Sequence, residues 1–228
     1  MMFISKQNTL RWKLLIVATL VVMAAIVLGV LWYDIPVYLF MVQYNYVAWR
    51  WFANIFDAKV WIIVFGLATI VMYLKKTYDL RNDPTTHMHW FNIKFLTRDA
   101  YAKLKNSNAF LVFCSLILSG IVVEVLKFII GRARPIFFDE FGIVGFFPGT
   151  FEWAFNSMPS GHTALSFAGL VMLGMLMPRF KILTWGLAIL IGLSRVAIGA
   201  HWPTDVLLGA FIGMVSADIV LSIVRRIK

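Results

Sequence analysis

Six apolar runs, each close to the length of one bilayer crossing, follow one another along the chain with short connections. A transmembrane helix needs about 20 mostly apolar residues. The succession favours one integral membrane domain over residues 1–228. We predict an all-α fold, a six-helix transmembrane bundle, with spans at about 13–33, 59–75, 109–130, 162–178, 182–200 and 203–224.

The composition agrees with a bilayer environment. Of the 228 residues, 61% are hydrophobic, whereas a soluble domain usually has about 45–50%. The formal charge of +10 does not indicate nucleic acid, because the basic residues are spread between the spans rather than gathered in one polar arm. Cys114 is the only cysteine, which excludes a disulfide framework and a cysteine-rich metal site.

The lysines and arginines predict the orientation of the spans. With the N-terminus in the cytoplasm, 15 of the 21 basic residues lie inside, so the positive-inside rule places both termini there. The outside cations are Arg50, Lys59, Lys127, Arg132, Arg134 and Arg195. Four of them cluster around spans three and five, and these four need another explanation.

Two segments lie outside the predicted spans. Residues 34–58 are rich in aromatic side chains and are predicted to form a partly amphipathic helix along the outer interface. Residues 76–108 are polar and basic, which is typical of a cytoplasmic loop with a short surface helix. His87 and His89 belong to that loop without a cysteine or acidic cluster, so we interpret them as surface residues rather than metal ligands.

The first polar cluster is Lys127-Phe-Ile-Ile-Gly-Arg-Ala-Arg134-Pro135. Lys127 and Arg134 are seven residues apart, so a continuing helix would carry both on one face, and Pro135 would then end it. Cations at the end of a span are costly unless they bind an anion or reach the interface. The pattern indicates either an anion site or interfacial anchoring.

The second cluster, Pro159-Ser160-Gly161-His162, stands directly before the fourth span. Ser160 is placed as an N-cap and Gly161 allows close backbone approach, so the free amides of the helix start can bind an anion. His162 would lie in that anion site and could pass a proton to a bound group. A capped helix with an incidental histidine is the alternative.

The third cluster contains Arg195, His201, Pro203 and Asp205. Pro203 suits the first turn of the sixth span. Asp205, in the same turn, can reach back to one nitrogen of His201, which would fix the tautomer and leave the other nitrogen free for attack. The alternative is a loop histidine beside an aspartate that only caps the helix.

The predicted topology brings all three clusters to the outer membrane face. Span three ends there, span four begins there with His162, span five ends there with Arg195, and span six begins there with His201 and Asp205. Three cations, two histidines and one carboxylate therefore converge from separate segments. Chance explains such a convergence poorly.

These stretches resemble the tripartite signature K-x6-R-P, P-S-G-H and S-R-x5-H-x3-D of the type 2 phosphatidic acid phosphatase superfamily, in its form as a bacterial membrane lipid phosphate phosphatase. Every signature position matches, and in the same order. Each motif is weak alone, whereas the ordered set is specific. Residues 1–58 and the loop 76–108 are covered by no motif.

The resemblance implies a phosphatase with a phosphohistidine intermediate, no metal and no cofactor. His201 would be the nucleophile, Asp205 would orient it, and His162 would be the general acid. The phosphoryl oxygens would be held by the other signature residues, Lys127, Arg134, Ser160, Gly161 and Arg195. Fixed cations and helix-start amides can neutralise the charge that Mg²⁺ neutralises elsewhere.

Six spans favour a phosphate monoester or pyrophosphate on a membrane lipid as the substrate. Lipid A phosphate, undecaprenyl pyrophosphate, phosphatidylglycerol phosphate and phosphatidic acid all remain open. By analogy with the family we expect a bacterial inner (cytoplasmic) membrane protein with its site facing the periplasm, and neither nucleic acid nor a protein partner.

Other functions would use or alter the same residues. A lipid phosphotransferase would need the same site and differ only in its acceptor. A transporter would place polar groups near mid-membrane rather than at the boundary. A silent membrane scaffold would be expected to have lost His162, His201 or Asp205, and the sequence retains all three.

Three further charges lie in or beside spans. Glu124, three residues before Lys127, is predicted to pair with that lysine. Asp218 is predicted to lie near the inner interface. Arg132 is placed on a different helical face from the signature cations, where it could contact a second phosphate or a lipid headgroup, or anchor the helix at the interface.

Overall fold

A computed structural model describes residues 2–4, 9–44, 47–55, 57–82, 104 and 107–226. Within these residues the fold is all-α, as predicted, and β pairing is confined to the isolated bridges Ile4–Leu10 and Arg132–Phe146. The α-helices of the described part are α1 (Trp12–Leu28), α2 (Asp34–Val42), α3 (Val47–Ile55), α4 (Ala58–Asn82), α5 (Asn108–Ile130), α6 (Pro135–Phe141), α7 (Gly161–Leu176), α8 (Lys181–Ala197) and α9 (Pro203–Arg226).

Five stretches of these helices are long and apolar enough to cross a membrane. They are Trp12–Val42, Val60–Asp79, Asn108–Ile130, Pro178–Ala197 and Pro203–Arg225. The helix at the predicted fourth span, α7, is shorter, with 16 residues, or about 24 Å at 1.5 Å per residue. Six apolar helices are therefore present where six spans were predicted, although the fourth is short for a full crossing.

The first apolar helix is longer than predicted. The expected end was residue 33, but a π-helical turn, Gly29–Tyr33, connects α1 directly to α2, so the apolar run continues to Val42. The segment 34–58 was expected to lie along the interface as one helix. Only α3 forms a separate helix there, and it packs against α8.

Helix α5 does not continue through the first polar cluster, contrary to the prediction. It ends at Ile130, where Gly131 adopts a left-handed backbone with φ 59°. Pro135 begins α6 instead of ending α5. Lys127 is thus on a helix while Arg134 lies in the following connection, and the two do not share a helical face.

Helix α7 is the centre of the bundle, because α5, α8 and α9 all pack around it and most of its residues are buried. The backbones of α7 and α9 come close at Gly209 and Gly213. A Cβ at Gly213 would lie 2.4 Å from the carbonyl oxygen of Ala164, so only glycine permits this approach. The start of α9 is thereby fixed beside the start of α7.

At the opposite end of the bundle Asp218 is buried and holds the N-terminal segment. Its Oδ2 accepts hydrogen bonds from the backbone amides of Met2, at 2.9 Å, and Phe3, at 2.6 Å. Helix α4 extends to Asn82 and therefore includes the beginning of the predicted loop 76–108. His87 and His89 lie outside the described residues.

Candidate active site

The three polar clusters meet at one end of the bundle. The amide of Ser160, before α7, donates to the carbonyl of Asp205 in α9 at 3.0 Å, and the amide of His201 donates to the carbonyl of Arg195 in α8 at 3.2 Å. Lys127 of α5 reaches the same place, since its Nζ lies 3.5 Å from the position of a Cβ on Gly161. Four helices therefore contribute to one site.

His201 lies in the turn between α8 and α9 and is only 3% exposed. Its Nδ1 lies 2.8 Å from the backbone carbonyl oxygen of Ser157. A carbonyl accepts only, so Nδ1 carries the hydrogen and Nε2 keeps its lone pair. Burial lowers the pKa of His201 to about 4, the Asp205 carboxylate opposes this, and the Arg134 charge adds to it. The imidazole is neutral at physiological pH.

Asp205 contacts His201 less directly than the sequence suggested. Its Oδ2 lies 3.6 Å from Nδ1 of His201 and accepts hydrogen bonds from the Ser157 hydroxyl, at 2.5 Å, and the Trp202 amide, at 2.9 Å. The carboxylate and the Ser157 carbonyl therefore orient the imidazole together. Ser157 was not predicted, and nothing in its sequence context distinguishes it.

His162 faces the same space from the first turn of α7. Its Nε2 lies 3.2 Å from Oδ2 of Asp57, in the connection between α3 and α4. The charges of Arg195 and Lys127 also act on His162. With 27% of its side chain exposed, this histidine is far more accessible than His201.

Lys127 and Arg195 supply positive charge from α5 and α8, the two helices that carry them and pack against α7. Nζ of Lys127 pairs with Glu124 at 2.8 Å, as predicted, and the lysine side chain is 15% exposed while that of Glu124 is 69% exposed. Nε of Arg195 is buried, and no hydrogen-bond partner for it occurs in the described part of the chain. A buried guanidinium donor without a partner is costly, so this atom is ready to bind an anion.

Arg134 is bound to three backbone carbonyl oxygens, which the sequence did not predict. Its Nε, Nη1 and Nη2 donate to the carbonyl oxygens of Trp153, Ala200 and Asn156 at 2.9, 3.0 and 3.2 Å. Burial lowers its pKa. Each terminal nitrogen still has a second hydrogen, and the bond to Ala200 places the guanidinium next to His201.

Ser160 precedes α7 at the N-cap position, but its side chain makes no capping hydrogen bond. The hydroxyl instead accepts a bond from the Thr163 hydroxyl at 3.0 Å and can still donate its own hydrogen. Without a side-chain cap, the first amides of α7, including that of Gly161, remain available to an anion.

Arg132 is buried, so it is not an interface anchor and reaches neither a second phosphate nor a lipid headgroup, contrary to the predictions for it. It is 1% exposed and lies between the carboxylates of Asp34 and Asp205. Burial alone would lower the pKa of Arg132, but these two carboxylates raise it above its ordinary value. Arg132 is an internal part of the structure behind His201.

Residues 108–228, just over half of the chain, match the PAP2 superfamily. The chain belongs to the PAP2 superfamily. This is the type 2 phosphatidic acid phosphatase superfamily that the signature predicted. The match begins at α5 and includes every signature residue, whereas α1 to α4 precede it.

Several PAP2 relatives are similar in this same region. Over 102 residues the chain is 38% identical to the lipid A 1-phosphatase of Rhizobium etli, covering 45% of this chain and 44% of the relative. Over 114 residues it is 32% identical to the undecaprenyl-diphosphatase of Sulfolobus acidocaldarius, covering 46% and 52%. The chain therefore matches about half the length of these curated relatives.

A solved structure, that of Aquifex aeolicus LpxE, covers 72% of this chain and 93% of its own, at 22% identity and a TM-score of 0.41.

Two acidic residues of the site lie outside the PAP2 match, and sequence reasoning missed both. Asp34 contacts Arg132, and Asp57 contacts His162. The available signal was a lone carboxylate within or beside an apolar run, which generally has a partner. The sequence offered no means of naming that partner.

Proposed function

We propose that this PAP2 protein is a membrane lipid phosphatase that removes a phosphate group from a lipid through a phosphohistidine on His201. The observation that carries the proposal is the state of that histidine. Its Nδ1 is bound to the Ser157 carbonyl, so Nε2 is the free nucleophilic nitrogen, and the low pKa of His201 keeps the lone pair available.

The first step is the transfer of the phosphoryl group to His201. Nε2 attacks phosphorus, a P–N bond forms, and the P–O bond to the lipid breaks. His162 gives its proton to the leaving lipid oxygen, and Asp57 favours the protonated imidazole that this role needs. In the second step His162, now neutral, accepts a proton from water. That water attacks phosphorus, the P–N bond breaks, and inorganic phosphate leaves.

The phosphoryl oxygens are held by fixed positive groups in this proposal. Lys127, Arg195 and the second hydrogens of Arg134 supply charge, and the Ser160 hydroxyl and the Gly161 amide add donors. Within the described residues no three histidine, cysteine, aspartate or glutamate side chains form a metal-binding group. This donor set suits an anion, and we propose that the reaction needs no metal ion.

A lipid substrate is supported by an apolar groove between α4 and α5. It has a volume of about 400 Å³ and is lined by apolar side chains such as Ile62 and Leu116, with Glu124 as its charged residue. Because Glu124 lines the groove and pairs with Lys127, the groove lies next to one of the cations proposed to hold the phosphate. An acyl chain would fit there while its phosphate reached the cations.

The first substrate to test is a lipid A 1-phosphate, because the relative with 38% identity has that activity in its name. Undecaprenyl diphosphate is the next, for the same reason. We place the site at the outer face of the membrane, which is the periplasmic face in a bacterial inner membrane, because the distribution of basic residues puts both termini inside.

The test is phosphate release by the purified protein in lipid nanodiscs. Lipid A 1-phosphate, undecaprenyl diphosphate, phosphatidylglycerol phosphate and phosphatidic acid are offered separately, each with and without excess EDTA. Release from at least one lipid that persists in EDTA and disappears in His201→Ala is expected. Release from none of them would refute the lipid phosphatase, and loss with EDTA that Mg²⁺ or Zn²⁺ restores would refute the metal-free reaction.

A further inference from the structure

A cluster of three buried charges lies directly behind the nucleophile. Nη2 of Arg132 lies 2.7 Å from Oδ2 of Asp34, and Nη1 lies 2.7 Å from Oδ1 of Asp205. The three side chains are at most 1% exposed. Buried ions are tolerated only when they are well paired, so this arrangement holds each of its members in place.

Thr204 is bound to both Asp34 and Arg132. Its hydroxyl donates to Oδ2 of Asp34 at 2.5 Å and accepts from Nη1 of Arg132 at 2.7 Å, while its amide donates to Oδ1 of Asp34 at 3.0 Å. Asp34 therefore caps the start of α9 from a position 170 residues away in sequence. Asp205 is the next residue of that same helical turn.

The carboxylate of Asp205 is divided between the cluster and His201. Its Oδ1 is bound by Arg132, and its Oδ2 receives the Ser157 hydroxyl and lies 3.6 Å from Nδ1 of His201. Since Arg132 fixes one oxygen, it also fixes the direction in which the other oxygen points. The orientation of Arg132 depends in turn on Asp34.

The packing of the chain after α1 against the start of α9 places Asp34 in this position. A Cβ at Gly29 would lie 2.2 Å from Cγ2 of Thr204, so glycine allows the helix to lie directly against the start of α9. The π-helical turn Gly29–Tyr33 follows and ends at Asp34. Turns of this kind, with one extra residue, are frequent at functional sites.

We propose that Asp34, acting through Arg132, is a positioning residue for the nucleophile His201. It lies outside the region that matches the PAP2 superfamily and touches neither the residues proposed to hold the phosphate nor the reacting atoms. Its contribution is to hold Arg132 so that Asp205 and Ser157 keep the imidazole of His201 in its attacking orientation. The inference rests on the proposed function, because it takes His201 to be the nucleophile.

The test compares Asp34→Asn with Asp218→Asn in nanodiscs. An asparagine at 34 can still accept the bond from the Thr204 amide but loses the charge that holds Arg132. Asp218 is the control because it is similarly buried and, like Asp34, accepts a backbone hydrogen bond, here from the amides of Met2 and Phe3, but at the opposite end of the bundle. The rate of phosphohistidine formation in a single turnover, KM and thermal stability are measured for both.

Asp34→Asn is expected to slow phosphohistidine formation roughly 10- to 100-fold, the range found when residues that hold a metal ligand in place are mutated, with little change in KM. Asp218→Asn is expected to keep the wild-type rate even where its melting temperature falls. An unchanged rate in Asp34→Asn, or equal loss of rate in both variants, would overturn the proposal.

A second variant covers the case in which Asp34→Asn does not fold. Thr204→Val keeps the shape of the side chain but removes the hydroxyl between Asp34 and Arg132, and it should also slow phosphohistidine formation, whereas Thr204→Ser should restore it. A wild-type rate in Thr204→Val would overturn the proposal. If wild-type protein formed no phosphohistidine on His201, the proposed function itself would have failed, so the two failures are distinguishable.

Discussion

Nε2 of His162 lies 3.2 Å from Oδ2 of Asp57, so the second histidine of the site has a carboxylate partner of its own. The Asp57 carboxylate lies within hydrogen-bond distance of this imidazole and carries the charge that favours a proton on it. A general acid must hold its proton until the leaving oxygen needs it. The two histidines therefore have different neighbours: a carboxylate at Nε2 of His162 and a backbone carbonyl at Nδ1 of His201.

Replacement of Asp57 by asparagine is expected to lower kcat about tenfold at neutral pH, a loss that corresponds to roughly 1.4 kcal/mol of barrier height. The neutral amide no longer favours the proton on His162, so the alkaline limb of the pH–activity profile should move to lower pH. The profile of kcat against pH measures both effects.

Asp79→Asn is the control for this variant, because Asp79 is an exposed carboxylate on α4, the helix that follows Asp57. It should leave the profile unchanged. An alkaline limb at the same pH in Asp57→Asn and wild type would show that the carboxylate does not act on the general acid.

His201→Ala is expected to reduce turnover about a thousandfold or more, as removal of a nucleophile does in other enzymes with covalent intermediates. The protein should still fold, since the histidine contributes one side-chain hydrogen bond. Incubation with a ³²P-labelled lipid and an alkaline quench should label wild type and leave His201→Ala unlabelled. His87→Ala is the matched histidine control and should be labelled like wild type. Label on His201→Ala would contradict the assignment of His201 as the nucleophile.

The imidazole of His201 is expected to stay neutral down to a pH of about 4. An unperturbed histidine takes up its proton near pH 6.5. Burial lowers the pKa, so protonation, and with it loss of the Nε2 lone pair, comes only as the pH falls through the lower value. Nitrogen NMR of ¹⁵N-histidine-labelled protein measures the midpoint, with His201→Ala assigning the signal; a midpoint near 6.5 would contradict the buried, neutral nucleophile.

The site is expected to open toward the outside of the cell. In a Cys114→Ala background, Thr150→Cys lies in the connection between α6 and α7 and should react with a membrane-impermeant thiol reagent on intact cells. Asn106→Cys, in the basic segment before α5, should react only after lysis. The reverse result would place the phosphate site at the cytoplasmic leaflet.

The convergence of the signature residues could be predicted because each one stands at or beside the end of an apolar helix. His162 lies in the first turn of α7, Arg195 in the last turn of α8, and Asp205 in the first turn of α9. Once the spans and their directions are assigned, geometry brings these ends together. Local patterns of this kind need no knowledge of distant partners.

The contacts that Asp34 and Asp57 make could not be predicted, because each joins residues far apart in the sequence. Asp34 meets Arg132 across 98 residues, and Asp57 meets His162 across 105. No local pattern specifies such pairs. The end of α5 at Ile130, by contrast, could have been predicted, because Gly131 is a helix-ending signal visible in the sequence. With that signal, Lys127 would have been placed on the helix and Arg134 beyond its end.

The contact of Gly29 with Thr204 has a practical consequence for chimaeras. A boundary drawn at residue 108 by family resemblance passes between Asp34 and Arg132, which belong to one ionic cluster. Grafting residues 108–228 behind another N-terminal helix would leave the Arg132 guanidinium with one carboxylate instead of two. A functional graft must carry a small residue and an acid five positions later in its first helix, at the level where α9 begins.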